Sequence, residues 1–158
     1  MSSTEFDQGE YRRALGCFAT GVAVVTALDK NGERAGITIN SFNSVSLNPP
    51  LVLWCIAADS QRFDVFAEAE HFAVNVLATH QRDISERLAA SGNSKLDDLD
   101  CTDGIAGVPI LPTYSAVFEC QTEQRYEVGD HTIVVGRVLK FKDRKTDPLI
   151  FYRGHYLE

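Results

Sequence analysis

The sequence predicts a mainly β protein in which an antiparallel β-barrel has a few helices packed outside it. Short segments rich in β-branched and aromatic residues recur along the chain, and turn residues separate several of them. Only two or three segments place apolar residues at helical spacing. Because parallel strands need long crossover connections, usually helices, this pattern favours hairpin-linked strands over a doubly wound sheet.

A helix and a β-hairpin are predicted at the start of the chain. The apolar residues of EYRRALGCFATG lie at helical spacing, and Gly21 is placed to end the helix. Residues 22–28 (VAVVTAL) switch to β-branched strand residues, and DKNG at 29–32 is a hairpin signal. The returning strand is expected to run to Phe42.

Buried strands and short helices are predicted to alternate in the middle of the chain. NPP at 48–50 interrupts regular structure, and LVLWCIAA at 51–58 is expected to be a fully buried strand. Ser60 is placed to cap a short helix, QRFDVFAEA. HFAVNVLA at 71–78 follows as another buried strand, and QRDISERLAA as an amphipathic helix.

A loop and the closing strands complete the prediction. Residues 91–113 are rich in Gly, Asp, Ser and Pro, and loops of that length are often functional or mobile. The closing strands are AVFECQTEQRY, HTIVVGRVLKF and LIFYRGHY. We expect six or seven strands and two or three helices, without internal repeats.

Length and composition indicate one domain over residues 1–158, with residues 1–9 expected to be flexible. The net charge of -7 gives no support for nucleic-acid binding, which needs a clustered basic surface. The N-terminal residues do not form a signal peptide, and the longest apolar runs are about half the length of a short membrane span. We therefore expect a cytoplasmic protein with no membrane or nucleic-acid partner.

Several common motifs are absent from the sequence. There is no GxGxxG, no GxxxxGK[ST] and no GxSxG, which argues against a Rossmann nucleotide site, a P-loop and a hydrolase nucleophile elbow. The four cysteines and four histidines show no metal-ligand spacing, so we expect no bound metal.

The segment AGITINSFNSVSLNPP, residues 35–50, carries an unusual uncharged polar pattern. Polar and apolar residues alternate from Gly36 to Phe42, as in a strand with one polar face. The pattern fits an exposed barrel face, and it equally fits a hydrogen-bonding strip for a polar ligand.

Three other places leave a similar choice open. Ser60 and Arg62 form either an anion contact at a helix start or a simple cap with a solvent-facing arginine. Asn75, alone in a buried run, either satisfies neighbouring backbone or lines a ligand pocket. Asp130 and His131 sit in a turn before a strand, as ordinary hairpin residues or as polar groups beside a pocket.

Several separated motifs, found in the same order, make the chain resemble the short-chain flavin reductase family, the small reductase components of two-component flavin monooxygenases. They are CFATGVAVVTA, GITINSFNSVSLNPPLVLWCI, HFAVNVLA, YEVGDHTIVVGRV and PLIFYRGHY, and the similarity runs from about Tyr11 to Tyr156. The resemblance implies a split, Greek-key-like antiparallel β-barrel that binds FMN or FAD. It also implies a homodimer with the flavin near the subunit interface.

The resemblance implies site residues as well. Those matching flavin contacts are Thr38, Ile39, Asn40 and Ser41 along the phosphate and ribityl chain, Ser44, Val45 and Ala57 near the ring, Ser60 and Arg62 at the phosphate-side turn, and Asn75, Val76 and Leu77 beneath the flavin. Those matching the nicotinamide side are His131, Tyr152 and Arg153, with His131 as the catalytic-site residue. Ile39 departs from the family, which usually has a small residue there, and would narrow the pocket if it faces the flavin.

The implied activity is that of an NAD(P)H:flavin oxidoreductase, in which hydride passes from NADH or NADPH to flavin N5 and reduced flavin then serves a partner flavin-dependent monooxygenase. Because the cofactors carry the chemistry, the protein needs no acid–base pair at the transferring carbon. Two alternatives remain: a flavin-binding protein without turnover, and a pyridoxamine-phosphate-oxidase-like flavoenzyme. The second would require several basic residues around two phosphates, whereas the polar strip is nearly uncharged.

Overall fold

The computed structural model describes residues 5–158, which form three α-helices and twelve strands. The helices are α1 (Gln8–Leu15), α2 (Phe63–Glu68) and α3 (Arg82–Ala89), and short 3-10 turns cover Thr79–Gln81 and Ile105–Gly107. The strands are β1 (Thr20–Gly21), β2 (Ala23–Leu28), β3 (Arg34–Ile39), β4 (Asn43–Leu47), β5 (Pro50–Ala57), β6 (His71–Val76), β7 (Thr102–Asp103), β8 (Pro109–Ile110), β9 (Ala116–Val128), β10 (His131–Asp143), β11 (Ile150–Tyr152) and β12 (His155–Leu157).

Seven of these strands form one antiparallel sheet in the order β3-β2-β6-β9-β10-β5-β4. The edge strands β3 and β4 are not paired with each other in the described part of the chain, so the sheet does not close by strand pairing. A smaller sheet, β1-β11-β12, and the pair β7-β8 account for the other strands. The prediction of a mainly β, antiparallel fold with a few flanking helices is confirmed.

Two buried clusters lie on opposite faces of the sheet, because neighbouring residues of a strand such as Val24 and Val25 point to opposite sides. The cluster containing Val25 includes Trp54 and Phe72, whose rings meet edge to face at 6.0 Å, and takes Phe66 from α2. The cluster containing Val24 includes Val22, which lies between β1 and β2, together with residues of α3 and the loop that follows α3. Burying side chains of this size stabilises the fold by about 1.5–3 kcal/mol each.

The first helix ends earlier than predicted. It stops at Leu15, where the Gly16 N–H donates to the Arg12 carbonyl at 3.0 Å and the Cys17 N–H donates to the Ala14 carbonyl at 3.1 Å. Gly21 instead lies in β1, where it pairs with Ile150 of β11. The prediction that Gly21 ends the helix is therefore wrong, because the local backbone bonds close the helix five residues earlier.

The second helix is not capped as predicted. It begins at Phe63, and its cap residue, Arg62, makes no side-chain capping bond. The hydroxyl of Ser60 accepts only a long bond, 3.4 Å, from the Arg62 N–H. The capping role expected for Ser60 is wrong, because the chain still turns between Ser60 and Phe63 before the helix starts.

Strand boundaries and burial also differ from the sequence pattern. The strand expected to reach Phe42 ends at Ile39, and a separate edge strand, β4, follows. Strand β5 begins at Pro50, inside the predicted interruption, and only alternate residues of it are buried because one of its faces is partly open. The final segment forms a hairpin, β11–β12, instead of one strand.

The flexible segment predicted at residues 1–9 is only partly covered, since residues 1–4 lie outside the described residues, and Gln8 begins α1. No helix among residues 5–158 is long and apolar enough to cross a membrane. Within the same residues, no three His, Cys, Asp or Glu side chains are grouped so that they could hold a metal ion.

Candidate functional site

Three adjacent strands bring two parts of the predicted flavin strip together. Ala23 of β2 is the register partner of Ile39 on one side and of Val76 on the other. Ile39, Asn40 and Val76 line a cavity of about 80 Å³ together with residues of β1 and Phe42. Ile39 is 9% exposed and packs into the core, so its side chain limits the size of this cavity.

Thr20 also lines this small cavity, and sequence reasoning missed it. Its Oγ1 is buried, and no group in the described part of the chain forms a hydrogen bond with it. A buried hydroxyl without a partner costs about 1–3 kcal/mol. Such an atom beside Asn40 fits a site in which a polar ligand completes the hydrogen bonding.

Ser41 links this cavity to strand β5. Its Oγ accepts a bond from the Cys55 N–H at 2.9 Å and donates to the Cys55 carbonyl at 3.2 Å. Two residues later, Ala57 is the register partner of His131 at the start of β10. The predicted strip therefore continues through Ser41 to the β5–β10 end, where Ala57 and His131 lie side by side.

His131 and Asp130 form a hydrogen-bonded turn at that end. The imidazole Nδ1 lies 2.7 Å from Asp130 Oδ1, and the Asp130 carbonyl accepts from the Ala58 N–H at 2.9 Å. The hydrogen bond and charge of His131 lower the pKa of the Asp130 carboxyl. The His131 side chain is 47% exposed, so its ring remains accessible while Asp130 fixes one of its nitrogens.

Arg62 and Ser60 line a second, polar cavity of about 320 Å³ between β3, the turn before α2 and the chain after α3. The Arg62 Nε donates to the hydroxyl of Ser94, which is 7% exposed. The Ser94 carbonyl in turn accepts from the Gly36 N–H at 2.8 Å. The length of the loop 91–113 predicted a functional or mobile segment, but no sequence pattern indicated that Ser94 pairs with Arg62.

Hydrogen bonds connect Thr38 to α3 and, through Ser85 of α3, to the C-terminal hairpin. The Thr38 hydroxyl donates to the Ser85 carbonyl at 2.8 Å, and the Ser85 Oγ lies 2.7 Å from the Tyr156 hydroxyl oxygen. This hydroxyl therefore already has a partner in the protein. Thr38 therefore holds strand β3 against α3, and its hydroxyl proton is not free to bond a ligand.

Tyr152 and Arg153 lie at the β11–β12 turn, where Arg153 adopts a positive φ of 51°. The Arg153 N–H donates to the Gly16 carbonyl at 2.9 Å, and its Nε donates to the Tyr152 hydroxyl at 2.9 Å. Pairing of Thr20 with Phe151 sets this turn beside the small cavity. The hairpin thus lies next to the strip.

Asn75 and Leu77 lie in the core. The Asn75 amide donates to the Val24 carbonyl at 3.0 Å and to the Thr26 hydroxyl at 3.1 Å, and its oxygen accepts from the Leu111 N–H at 3.1 Å. Both Asn75 and Leu77 are 0% exposed. The geometry favours the structural interpretation of Asn75, in which it satisfies neighbouring protein groups.

Ser44 and Val45 lie apart from these cavities, on the exposed edge strand β4. Val45 is 49% exposed. Among the described residues that line the small and the polar cavity, Arg62 is the one cationic side chain. This falls short of the several basic residues that a pyridoxamine-phosphate-oxidase-like site would require.

Comparisons with known proteins show the family of this chain. The family model of the flavin reductase like domain matches residues 15–158. The FMN reductase (NADH) SmoA of Agrobacterium fabrum is 48% identical over 146 residues, which are 92% of this chain and 83% of that protein. The flavin-dependent monooxygenase reductase subunit HsaB of Rhodococcus jostii is 35% identical over 99% of this chain and 80% of that protein.

A solved structure of an NADH:FAD oxidoreductase is also similar to this chain. The Streptomyces globisporus C-1027 NADH:FAD oxidoreductase SgcE6, in complex with NAD and FAD fragments, matches with a TM-score of 0.89 and 35% identity over 96% of this chain and 92% of that one. Two other curated relatives are longer, and the chain spans 50% and 47% of their lengths. The extent of these matches shows that the chain belongs to the flavin reductase like domain family.

Proposed function

We propose that this chain is an NAD(P)H-dependent flavin reductase that supplies reduced FMN or FAD to a partner flavin monooxygenase. The observation that carries the proposal is the strip in which Asn40 lines the β1–β3–β6 cavity, Ser41 bonds to Cys55 of β5, and Ala57 of the same strand pairs with His131. It offers hydroxyl, amide and backbone groups with almost no fixed charge, which suits the edge and chain of a flavin.

Polar groups that line the small and the polar cavity suit the proposed cofactor. Thr20 Oγ1 lacks a partner in the described part of the chain, and Asn40 lines the same cavity, so both would bond a polar ligand there. Ser60 and Arg62 line the polar cavity, where Arg62 would hold the flavin phosphate. Ser94 orients the Arg62 guanidinium through Nε and leaves the terminal nitrogens for an anion.

When bound, flavin supplies the hydride-accepting N5 and the reduced nicotinamide supplies the hydride. The protein's tasks are to stack the nicotinamide ring on the flavin ring and to prevent arrangements in which the reacting atoms are too far apart. His131, with one nitrogen fixed by Asp130, would seat the nicotinamide side, and Tyr152 and Arg153 would contact it from the C-terminal hairpin. No proton has to move at the transferring carbon, so hydride transfer does not require the His131–Asp130 pair to act as a proton carrier.

The names of relatives support both cofactors. SmoA is an FMN reductase that uses NADH, and SgcE6 is an NADH:FAD oxidoreductase with NAD and FAD fragments. HsaB is the reductase subunit of a flavin-dependent monooxygenase, which supports a monooxygenase partner for this chain. NADH is thus the better-supported reductant.

A homodimer and a cytoplasmic location belong to the same proposal. Phe18, Leu47 and Phe141 are 80%, 95% and 69% exposed, and a second copy would remove such surface from water. Light scattering of the flavin-loaded protein should give twice the chain mass, and a monomer at micromolar concentration would reject the dimer. All four cysteines are free, as is usual in a reducing compartment.

The decisive experiment is steady-state oxidation of NADH by the purified protein, with and without added FMN or FAD. Turnover that requires flavin supports a reductase. Flavin binding without turnover would favour the non-catalytic binding protein, and oxidation of pyridoxamine phosphate would favour the second alternative. A partner is tested by whether reduced flavin made by this chain supports hydroxylation by a candidate monooxygenase.

A further inference from the structure

A third cavity, of about 630 Å³, lies between α1 and the β11–β12 turn, outside the flavin strip. Its lining is unusual, because almost every residue is either an arginine or a glycine: Arg12, Arg13, Arg153, Gly9, Gly16 and Gly154. Glycines let a ligand approach the backbone closely, and guanidinium groups bind phosphate oxygens in a bidentate manner.

The three arginines lack acidic partners. Among residues 5–158, no carboxylate forms an ion pair with Arg12, Arg13 or Arg153. The side chains of Arg12 and Arg13 form no hydrogen bond within those residues either. Three uncompensated cations around one cavity repel each other, in a chain whose net charge is -7. A polyvalent anion in the cavity would relieve that repulsion.

The turn that carries Arg153 is held in a strained form. Arg153 has a φ of 51°, a region that a long side chain seldom adopts, and its N–H is bonded to the Gly16 carbonyl at the end of α1. Strain of this kind persists where surrounding structure over-determines it, often beside ligands. The bond fixes Arg153 against the same helix that carries Arg12 and Arg13.

The position of the cavity indicates which anion it takes. Strand β1 pairs with β11 through Thr20 and Phe151, so Arg153 follows by two residues the strand partner of Thr20, at the end of the flavin strip. Its volume lies within the range typical of small-molecule sites and exceeds what one phosphate needs. We infer that Arg12 and Arg13, with Arg153, hold the diphosphate of the nicotinamide dinucleotide while its nicotinamide reaches the flavin. This inference rests on the proposed function.

Binding of inorganic pyrophosphate, measured by calorimetry without flavin or NADH, tests the site apart from turnover. The variants are Arg12→Gln, Arg13→Gln and Arg153→Asn, the last because asparagine tolerates positive φ. The matched control is Lys142→Gln, an exposed cation on β10 outside this cavity. Each arginine variant should weaken pyrophosphate binding about tenfold, and the control should leave it unchanged.

Kinetics then identify the source of the diphosphate. With FMN, which has no diphosphate, the arginine variants should raise the KM for NADH about tenfold with little change in the dissociation constant of FMN. Pyrophosphate should compete with NADH. A wild-type protein that does not bind pyrophosphate, or variants that raise only the KM for FAD, would overturn the inference. The protein could also bind pyrophosphate in an arginine-dependent manner and show no flavin-dependent NADH oxidation. That result would support the anion site and reject the proposed reductase function.

Discussion

Replacing Arg62 with alanine tests whether the polar cavity binds the flavin phosphate. Arg62 is partly buried, and its Nε is committed to Ser94, whose carbonyl is bonded to the Gly36 N–H of β3. The guanidinium is therefore held in place before a ligand arrives. The substitution removes the one cation from the cavity and leaves the surrounding backbone bonds intact.

The expected loss follows from the kind of contact. A hydrogen bond to a charged group contributes about 1.5–3 kcal/mol when it is desolvated. Because Arg62 is partly exposed, solvent screening reduces this to about 1–2 kcal/mol. That corresponds to a dissociation constant for FMN roughly 5–30 times higher than that of the wild type. Ser94→Ala removes only the orienting partner, so its effect should be smaller, about 2–5-fold.

Flavin fluorescence titration measures both dissociation constants, and urea unfolding checks that the variants are folded. Arg125→Ala is the matched control, because it removes an exposed arginine on β9 that donates to the Ala69 carbonyl. The double variant of Arg62 and Ser94 should bind no more weakly than Arg62→Ala alone, since Ser94 acts through Arg62. If Arg62→Ala binds FMN as tightly as the wild type and the control do, Arg62 is not a phosphate contact.

Three further predictions concern other parts of the molecule. His131→Ala should raise the KM for NADH and lower turnover partially at unchanged flavin affinity; intact nicotinamide kinetics would make His131 a strand residue only. Gly136→Ala should destabilise the fold by about 1–3 kcal/mol in urea unfolding, because its Cβ would lie 2.5 Å from a buried phenylalanine ring. Gly21→Ala, with open space at its Cβ, is the control, and equal midpoints would contradict the clash. In the native protein at about pH 8, iodoacetamide should modify the exposed Cys17 but not Cys120, since burial raises the pKa of the Cys120 thiol to about 12; similar rates for both would show that the core opens readily.

Strands were predictable wherever the signal is local. The hairpin at DKNG forms as expected: Gly32 has a φ of 77°, and the Asp29 carboxylate accepts from the N–H groups of Asn31 and Glu33. A turn of this kind is determined by the side chains and backbone preferences of four or five consecutive residues, so the sequence alone predicts it. The end of α1 was less predictable, because Gly16 and Gly21 both suit a helix end and only the backbone bonds decide between them.

Burial of a strand was harder to predict than its existence. The apolar run of β5 suggested burial on both faces, yet only alternate residues are buried. Which face is covered depends on helices and loops far away in the sequence, such as α2 on one side of the sheet. Ser94 could not be predicted as a site residue for the same reason: it contacts Arg62, which is 32 positions away in the sequence.

The most useful distinction at the site is between polar groups that have partners and polar groups that lack them. The sequence left open whether Asn75, a lone amide in an apolar run, satisfies neighbouring backbone or lines a ligand pocket, and the fold gives it three protein partners and no exposure. No sequence pattern marked Thr20 as a ligand residue. Its buried hydroxyl, however, has no partner in the described part of the chain and borders a cavity. An amide that is already satisfied gains nothing from a ligand, whereas an unsatisfied hydroxyl gains the whole bond. The residues that bind flavin here should therefore be sought among groups such as Thr20, Asn40 and Arg62, and not among the most deeply buried polar residues.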